Sequence, residues 1–231
     1  MPFSYRYFKC EDLPELGIGD SITHQAQESI PGFNHEAHSV LTYARRADHA
    51  DFERYECVHQ EQRNVDAIFG QEHVSHAIFN ERFDAFYSRS GSYFVVLNDR
   101  KKSKPFFDRL SRATPPVGAV PGQLDLHEVM KLGNTTGGWF SDVRISGVQS
   151  AGLFGSDDIG DSGEWARYSS EADMTAVYIR VSSRAGAVKP VMITRERAIV
   201  IQKDEGEKDN LDLVAFLNDT VFPELGCIVG D

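Results

Sequence analysis

The chain has 231 residues, of which 41% are hydrophobic and 26% are charged, and this composition excludes the fibrous and disordered classes. Its formal net charge of −11 opposes general binding of nucleic acids by the whole surface. The sequence has no apolar run long enough for a bilayer, and its 3 cysteines suit a reducing compartment, so we expect a cytoplasmic protein without a membrane partner.

The N-terminal segment, residues 1–90, is acidic and contains most of the histidines. Its part rich in Gly, Pro, Asp and Ser, residues 12–33, predicts a loop. Residues 37–60 alternate enough for strands, and a helix fits them nearly as well. Apolar side chains at helical spacing predict helices over residues 61–69 and 72–88. We therefore expect an α/β-type segment.

A buried strand, a polar turn and a helix are predicted next. The apolar run 93–97 predicts the strand. Ser103 suits the N-cap of the helix, and Pro105 suits its first turn, where a missing N–H has no cost. Residues 114–122, rich in Pro and Gly, form the clearest break in the chain, which separates two lobes or only links two elements.

The remaining elements lead to a sheet followed by a helix. A short helix is predicted at residues 124–132, a strand at 139–146 that pairs with 148–154, and a polar loop at 156–170. Three strand patterns then form a meander, and a helix pattern follows in which one face is apolar. The buried side chains of these elements are predicted to be Val177, Ile179, Val181, Leu213, Val214, Leu217 and Val221.

The predicted fold class is α+β, with a mixed or antiparallel sheet, helices packed on one side, and a C-terminal β-meander followed by an amphipathic helix. Residues 91–231 form this α+β domain, with a basic middle and an acidic C-terminal helix. The sequence leaves open whether residues 1–90 fold separately or as part of one continuous domain.

Histidines are the first candidates for chemistry, because seven of the eight lie between positions 24 and 76. Two pairs have i, i+3 spacing, which on a helix directs both imidazoles to one side, as a metal requires. The sequence has no signature such as His-Glu-x-x-His, so solvent-facing histidines are the simpler interpretation. We predict no cofactor, with a divalent metal as the alternative. The candidate ligands are His35, His38, His73 and His76.

Basic residues form a second set of candidates, in two groups that suit an anion. One group lies at a strand-to-helix turn, where N-terminal amides add to the positive field. The other lies on the C-terminal sheet. A surface shared by both groups would contact several phosphates, each with a salt-dependent increment. Aromatic residues that could stack on bases are Tyr93, Phe94 and Tyr178. The candidate nucleic-acid-binding residues are Arg100, Lys101, Lys102, Lys104, Arg109, Arg112, Arg180, Arg195 and Arg197.

Residues 160–163, Gly-Asp-Ser-Gly, resemble the nucleophile turn of chymotrypsin-like serine proteases. The resemblance implies a catalytic set of His49, Asp99 and Ser162. The family's next glycine is Glu164 here, and helical patterns occur where its double β-barrel requires strands. The resemblance covers four residues, and a flexible acidic loop is the preferred interpretation.

These patterns predict a non-catalytic binding or accessory protein. It would contact a polyanion, nucleic acid or nucleotide, through a basic patch, and protein partners through its acidic faces. The motivation is that charge is segregated along the chain while no catalytic constellation stands out. Two alternatives stay open: a metal-dependent hydrolase that uses the histidine-rich third, and an acidic module that regulates another protein.

Overall fold

A computed structural model describes residues 2–25, 37–46, 52–97, 100–120, 122–145, 148–202 and 210–225. Strands account for 54% of the structure and helices for 19%, so the fold is dominated by an open, mostly antiparallel sheet rather than by an even α+β mixture. The antiparallel sheet is thereby confirmed, whereas the packing of helices on one side stays a prediction.

The strands, in chain order, are β1 (Pro2–Cys10), β2 (Ser21–Gln25), β3 (His38–Arg46), β4 (Phe52–Phe69), β5 (Glu72–Ser88), β6 (Tyr93–Val96), β7 (Ala119–Val120), β8 (Asn134–Ile145), β9 (Val148–Phe154), β10 (Asp173–Ser182), β11 (Val188–Thr194) and β12 (Ala198–Gln202). The helices are α1 (Arg100–Leu110), α2 (Leu126–Met130), α3 (Gly163–Glu171), α4 (Asn210–Thr220) and α5 (Phe222–Leu225). None of these helices combines the length and the apolar character needed to cross a bilayer, as far as the structure describes the chain.

Contacts divide the chain into two compact units, which we call the N-terminal unit, residues 9–120, and the C-terminal unit, residues 1–8 with 121–231. The boundary at residue 120 falls within the segment rich in Pro and Gly that was expected to break the chain. No unit boundary falls at residue 90. Separate folding of residues 1–90 stays a prediction.

The N-terminal unit contains a sheet in which β2, β3, β4, β5 and β6 pair in chain order, each antiparallel to the next. The helices predicted over residues 61–69 and 72–88 are wrong, because β4 and β5 form one long hairpin there. Its outer half is partly exposed on both faces, so the alternation typical of a half-buried strand is absent from the sequence. Helix α1 lies where a helix was predicted, and it buries Phe106, Phe107 and Leu110. It begins at Arg100, however, so the prediction of Ser103 as its N-cap and of Pro105 in its first turn is wrong.

The C-terminal unit contains a sheet with the strand order β1, β12, β11, β10, β8, β9. The predicted meander of β10, β11 and β12 is confirmed, and helix α4 follows it. The side chains expected in the core are all buried: Val177, Ile179, Val181, Leu213, Val214, Leu217 and Val221.

Helix α3 lies where a polar loop was predicted. Ser162 is its N-cap, and the Ser162 hydroxyl accepts a hydrogen bond of 3.2 Å from the Trp165 amide. Trp165 is buried and its ring lies 5.4 Å from that of Phe140. Trp165 and the Ser162 cap therefore stabilise this short helix, and Tyr168, one turn later, also contacts Phe140 at 5.6 Å between ring centroids.

Candidate ligand-binding site

Three aromatic side chains lie together on the sheet of the C-terminal unit, and we call them the aromatic platform: Trp139 of β8, Phe154 of β9 and Tyr178 of β10. The ring centroids of Trp139 and Phe154 are 5.5 Å apart, and those of Phe154 and Tyr178 are 5.2 Å apart. The indole N–H of Trp139 donates to the Tyr178 hydroxyl at 3.3 Å. Trp139 is 43% exposed and Phe154 is 54% exposed, so large apolar surfaces face water.

The platform lies on the face of the sheet opposite to the core. Tyr178 alternates along β10 with the buried Val177 and Ile179, and Trp139 precedes the buried Phe140 on β8. Because successive side chains of a strand point to opposite faces, burial of one set places the aromatic rings on the other.

Two glycines make room for the platform. Gly137 pairs with Phe154, and a Cβ atom at position 137 would lie 2.4 Å from Phe154 Cδ1. Gly152 pairs with Trp139, and a Cβ atom there would lie 2.7 Å from Phe154 Cε2 and 3.0 Å from Trp139 Cζ3. The rings therefore lie over bare backbone, and the sequence at both positions permits this approach.

A cleft of about 560 Å³ adjoins Trp139. Its apolar lining residues are Trp139, Ala176 and Met192, and its polar lining residues include Arg6, Thr175, Thr194, Arg195 and Glu196. A second cleft of about 320 Å³ shares Gln123 and Arg195 with it. An aromatic wall with a few charged and hydroxyl groups is the usual composition of a ligand site.

Two arginines of this cleft are held by backbone carbonyls. Arg6 Nη1 donates to the Glu196 carbonyl oxygen at 3.2 Å. Arg195 Nη2 donates to the Met174 carbonyl oxygen, and Arg195 Nη1 lies 3.8 Å from the Asp173 carboxylate. Each guanidinium has five N–H donors in a rigid plane, so these contacts orient both groups.

The predicted basic residues of α1 lie in the N-terminal unit. Lys102 Nζ is 2.7 Å from the Glu81 carboxylate, and Lys104 Nζ is 2.7 Å from Asp108. Arg109 Nη1 donates to the Gln60 carbonyl oxygen at 2.6 Å. Arg112 is exposed, while the side chains of Arg100 and Lys101 lie outside the described part of the structure. Much of the positive charge expected for phosphates is therefore already compensated.

The predicted basic residues of the C-terminal sheet have three different environments. Arg180 is exposed, since it alternates along β10 with the buried Ile179 and Val181. Arg195 lines both clefts, and Arg197 is buried beside Tyr7. Since the two basic groups belong to different compact units, a surface shared by both stays a prediction.

The aromatic residues expected to stack on bases are only partly suitable. Tyr93 and Phe94 are buried in the core, whereas Tyr178 belongs to the platform. Sequence reasoning missed Trp139 and Phe154. The signal available for them was a Gly-x-Trp sequence in one strand and a Gly-x-Phe sequence in the next, since glycine in a strand marks a close approach.

The predicted metal ligands do not converge in the described part of the chain. His73 Nε2 is 2.7 Å from the Asp66 carboxylate, and His76 Nδ1 is 2.8 Å from the Ser75 hydroxyl. On the observed strand β5, residues three apart point to opposite faces, so their spacing no longer favours a shared metal. His38 begins β3, and His35 lies outside the described residues. No group of three or more His, Cys, Asp or Glu side chains suited to a metal occurs among the residues described.

A buried polar cluster joins β3, β4 and α1 in the N-terminal unit. Ser39 Oγ is 2.8 Å from His59 Nδ1 and 3.4 Å from Arg109 Nη1. Burial, together with the nearby Arg109 charge, lowers the pKa of His59 to about 4. The pair has the composition of a nucleophile and a base, but neither cleft described above is lined by it. We therefore assign it to structure.

The residue that resembles a protease nucleophile, Ser162, uses its hydroxyl as a helix cap. His49 and Asp99 lie outside the described residues. No protein-family model matches the chain, and no curated protein matches it significantly. The site is therefore interpreted from its own chemistry.

Proposed function

We propose that the protein is a non-catalytic binding protein that takes single-stranded nucleic acid on the platform face of its C-terminal unit. The observation that carries the proposal is the aromatic platform itself. Trp139 and Phe154 are exposed, in mutual contact, and bordered by a cleft that contains two arginines. Aromatic side chains on a sheet beside positive charge are the common arrangement for binding unpaired bases.

Stacking supplies the first part of the binding energy. A base placed against an aromatic side chain contributes about 1–3 kcal/mol, and every base has an apolar face, so little sequence preference results. Glycines beneath the rings and the hydrogen bond from Trp139 to Tyr178 hold the platform in place before binding. A preorganised surface loses little side-chain entropy when the ligand arrives.

Phosphate contacts supply the second part. Arg180 lies two residues beyond Tyr178 on the same face, and Arg6 and Arg195 line the cleft on the other side of Trp139. Three phosphate contacts on a single strand predict that log K falls with log salt with a slope of about −2. The net charge of −11 opposes any binding that does not use these residues.

The test is fluorescence anisotropy of a labelled oligothymidylate with the whole chain. We expect Trp139→Ala and Phe154→Ala each to weaken binding about tenfold, because each removes one stacking partner. Arg195→Gln should weaken binding and reduce the salt dependence. The matched control is Phe69→Ala, which removes an exposed aromatic ring from the N-terminal unit and should leave affinity unchanged.

Two competitors define the ligand. Unlabelled thymidine monophosphate should compete only at much higher concentration if several bases and phosphates are bound, and at similar concentration if a nucleotide is the ligand. Duplex DNA should compete poorly because its bases are already stacked. Absence of binding at low salt, or equal affinity of the platform variants and the wild type, would refute the proposal.

The other predicted functions have less support. A hydrolase that used His38, His73 and His76 would require a metal group, and none occurs in the described ranges. A protein partner on the acidic faces is compatible with the overall charge, but no contact in the structure favours one face over another. Both stay predictions from the sequence.

A further inference from the structure

Arg197 lies in the turn between β11 and β12 of the C-terminal unit. Its φ angle is +59°, its amide donates to the Thr194 carbonyl oxygen at 3.0 Å, and its carbonyl oxygen accepts from the Tyr7 amide at 3.1 Å. These two backbone bonds fix the residue in a conformation that arginine seldom adopts. The backbone of this turn therefore fixes the direction in which the Arg197 side chain leaves the chain.

Arg197 is largely enclosed. The residue as a whole is 5% exposed, its Nε atom is shielded from solvent, and Cζ lies 5.5 Å from the centroid of the Tyr7 ring. Gly122 closes in from another side, because a Cβ atom there would lie 2.6 Å from Arg197 Nη2. Any larger residue at position 122 would collide with the group.

No carboxylate forms an ion pair with Arg197 within the described ranges, and no hydrogen-bond acceptor there receives its side-chain N–H groups. The Nε atom is shielded from solvent and lacks a partner among the described residues. Arg197 thus differs from Arg6 and Arg195, whose guanidinium groups donate to backbone carbonyls.

Among the described residues, this arrangement leaves a largely buried positive charge without a carboxylate partner. Burial lowers the pKa of Arg197, and the interaction with Tyr7 opposes that effect, yet a guanidinium stays protonated in proteins. The aromatic ring attracts the cation but accepts none of its planar N–H donors. Buried charges in proteins are normally paired, because an isolated charge in a low-dielectric interior is strongly unfavourable.

We propose that Arg197 binds an oxyanion, a phosphate, sulfate or carboxylate group, that completes this site. The planar fork of the guanidinium matches two oxygens of such a group, which explains the preference for an oxyanion over a halide. The site does not line the cleft that contains Arg6 and Arg195, and it does not depend on the proposed binding of nucleic acid.

Thermal unfolding of the whole chain tests this inference. Wild type is compared in Tris chloride and in sodium phosphate, sulfate or acetate at matched ionic strength. Saturating oxyanion should raise the Tm of the wild type by about 5 °C, because the ligand binds only the folded state. Arg197→Met should lose this increase, and in chloride it should be at least as stable as wild type, because it removes an unpaired buried charge.

Arg184→Met is the matched control, since Arg184 is exposed in the turn after β10 and has no place in the proposed binding surface, and it should keep the full response to oxyanions. An equal response in Arg197→Met would overturn the proposal. So would a wild type that does not respond to any of the three anions, because the guanidinium would then be satisfied by the fold itself.

A second measurement covers the case in which Arg197→Met does not fold. Calorimetric titration of inorganic phosphate into the wild type should show one saturable site, and prior saturation with oligothymidylate should leave it unchanged. Lack of a saturable signal would refute the site. Comparison of inorganic phosphate, acetate and a mononucleotide then identifies the source of the oxyanion, and failure of nucleic-acid binding would leave this result intact.

Discussion

Ser39 Oγ lies 2.8 Å from Nδ1 of His59, and both side chains are buried between β3, β4 and α1 of the N-terminal unit. Arg109 reaches the same hydroxyl at 3.4 Å and donates to the Gln60 carbonyl oxygen at 2.6 Å. A positive neighbour and the loss of water both favour the neutral imidazole. The cluster therefore holds a helix to the sheet without requiring a second buried charge.

This cluster predicts a dependence of stability on pH. The pKa of His59 is lowered from 6.5 to about 4, so between these values the unfolded state binds more protons than the folded state. The contribution of His59 to stability is complete above about pH 6.5 and is lost as pH falls toward 4. We expect a loss of at most about 3 kcal/mol, measured by urea unfolding across this range.

His59→Gln is the control for the pH dependence, because glutamine can bond to Ser39 but does not titrate. As pH falls from 6.5 to 4, the unfolding free energy of the wild type should decrease relative to that of this variant. A constant difference across the range would show that His59 titrates in the folded state as it does in the unfolded chain.

Gly138 offers a test of packing in the C-terminal unit. A Cβ atom at this position would lie 2.7 Å from Cη2 of the buried Trp165. We expect Gly138→Ala to destabilise the protein by about 1–3 kcal/mol, because neither the strand nor the enclosed indole can move freely. Gly163→Ala, where nothing lies within 4 Å, is the control and should change stability by less than about 0.5 kcal/mol. Equal stability of the two variants would contradict the packing around Trp165.

Gly152 tests the platform without removing an aromatic ring. A methyl group there displaces the exposed Phe154 and Trp139 rings, which can yield toward solvent. We expect Gly152→Ala to weaken oligothymidylate binding several-fold while the Tm changes little. Anisotropy and thermal unfolding together decide this, and unchanged affinity would show that the position of the rings does not matter.

The two basic groups can be compared by charge reversal. Lys102→Glu with Lys104→Glu should leave oligonucleotide affinity within about twofold of wild type, because both lysines already contact carboxylates. Arg180→Glu should weaken binding much more, because it places a negative charge two residues from Tyr178 on the platform face. If the lysine variant lost more affinity than Arg180→Glu, the binding surface would lie on α1 and not on the platform face.

Local sequence patterns were sufficient to predict the strands and helices that bury only one face. The alternation of Val177, Ile179 and Val181 predicted a strand of the meander with these side chains buried. The pairing of β8 with β9 followed from adjacent strand patterns. Helix α1 was recognisable from its apolar face, but it begins at Arg100, before the predicted N-cap Ser103.

The long β4–β5 hairpin could not be predicted for a physical reason. Its outer half exposes side chains on both faces, so its stability comes from cross-strand pairs such as Gln62 with Ile78, which no local window contains. The platform was missed for the same reason, because Gly137, Phe154 and Tyr178 are brought together only by the register of three strands. Sequence showed the residues but not their register.

The most direct test of the platform as a binding surface is the fluorescence of Trp139 itself. The chain has 2 tryptophans, and Trp165 is buried, so a ligand on the platform should affect Trp139 alone. Titration with unlabelled oligothymidylate should quench the wild type saturably, with the same Kd as anisotropy, and should leave Trp139→Phe unchanged. Equal quenching in both proteins, or none in a wild type that binds the oligonucleotide, would contradict the account.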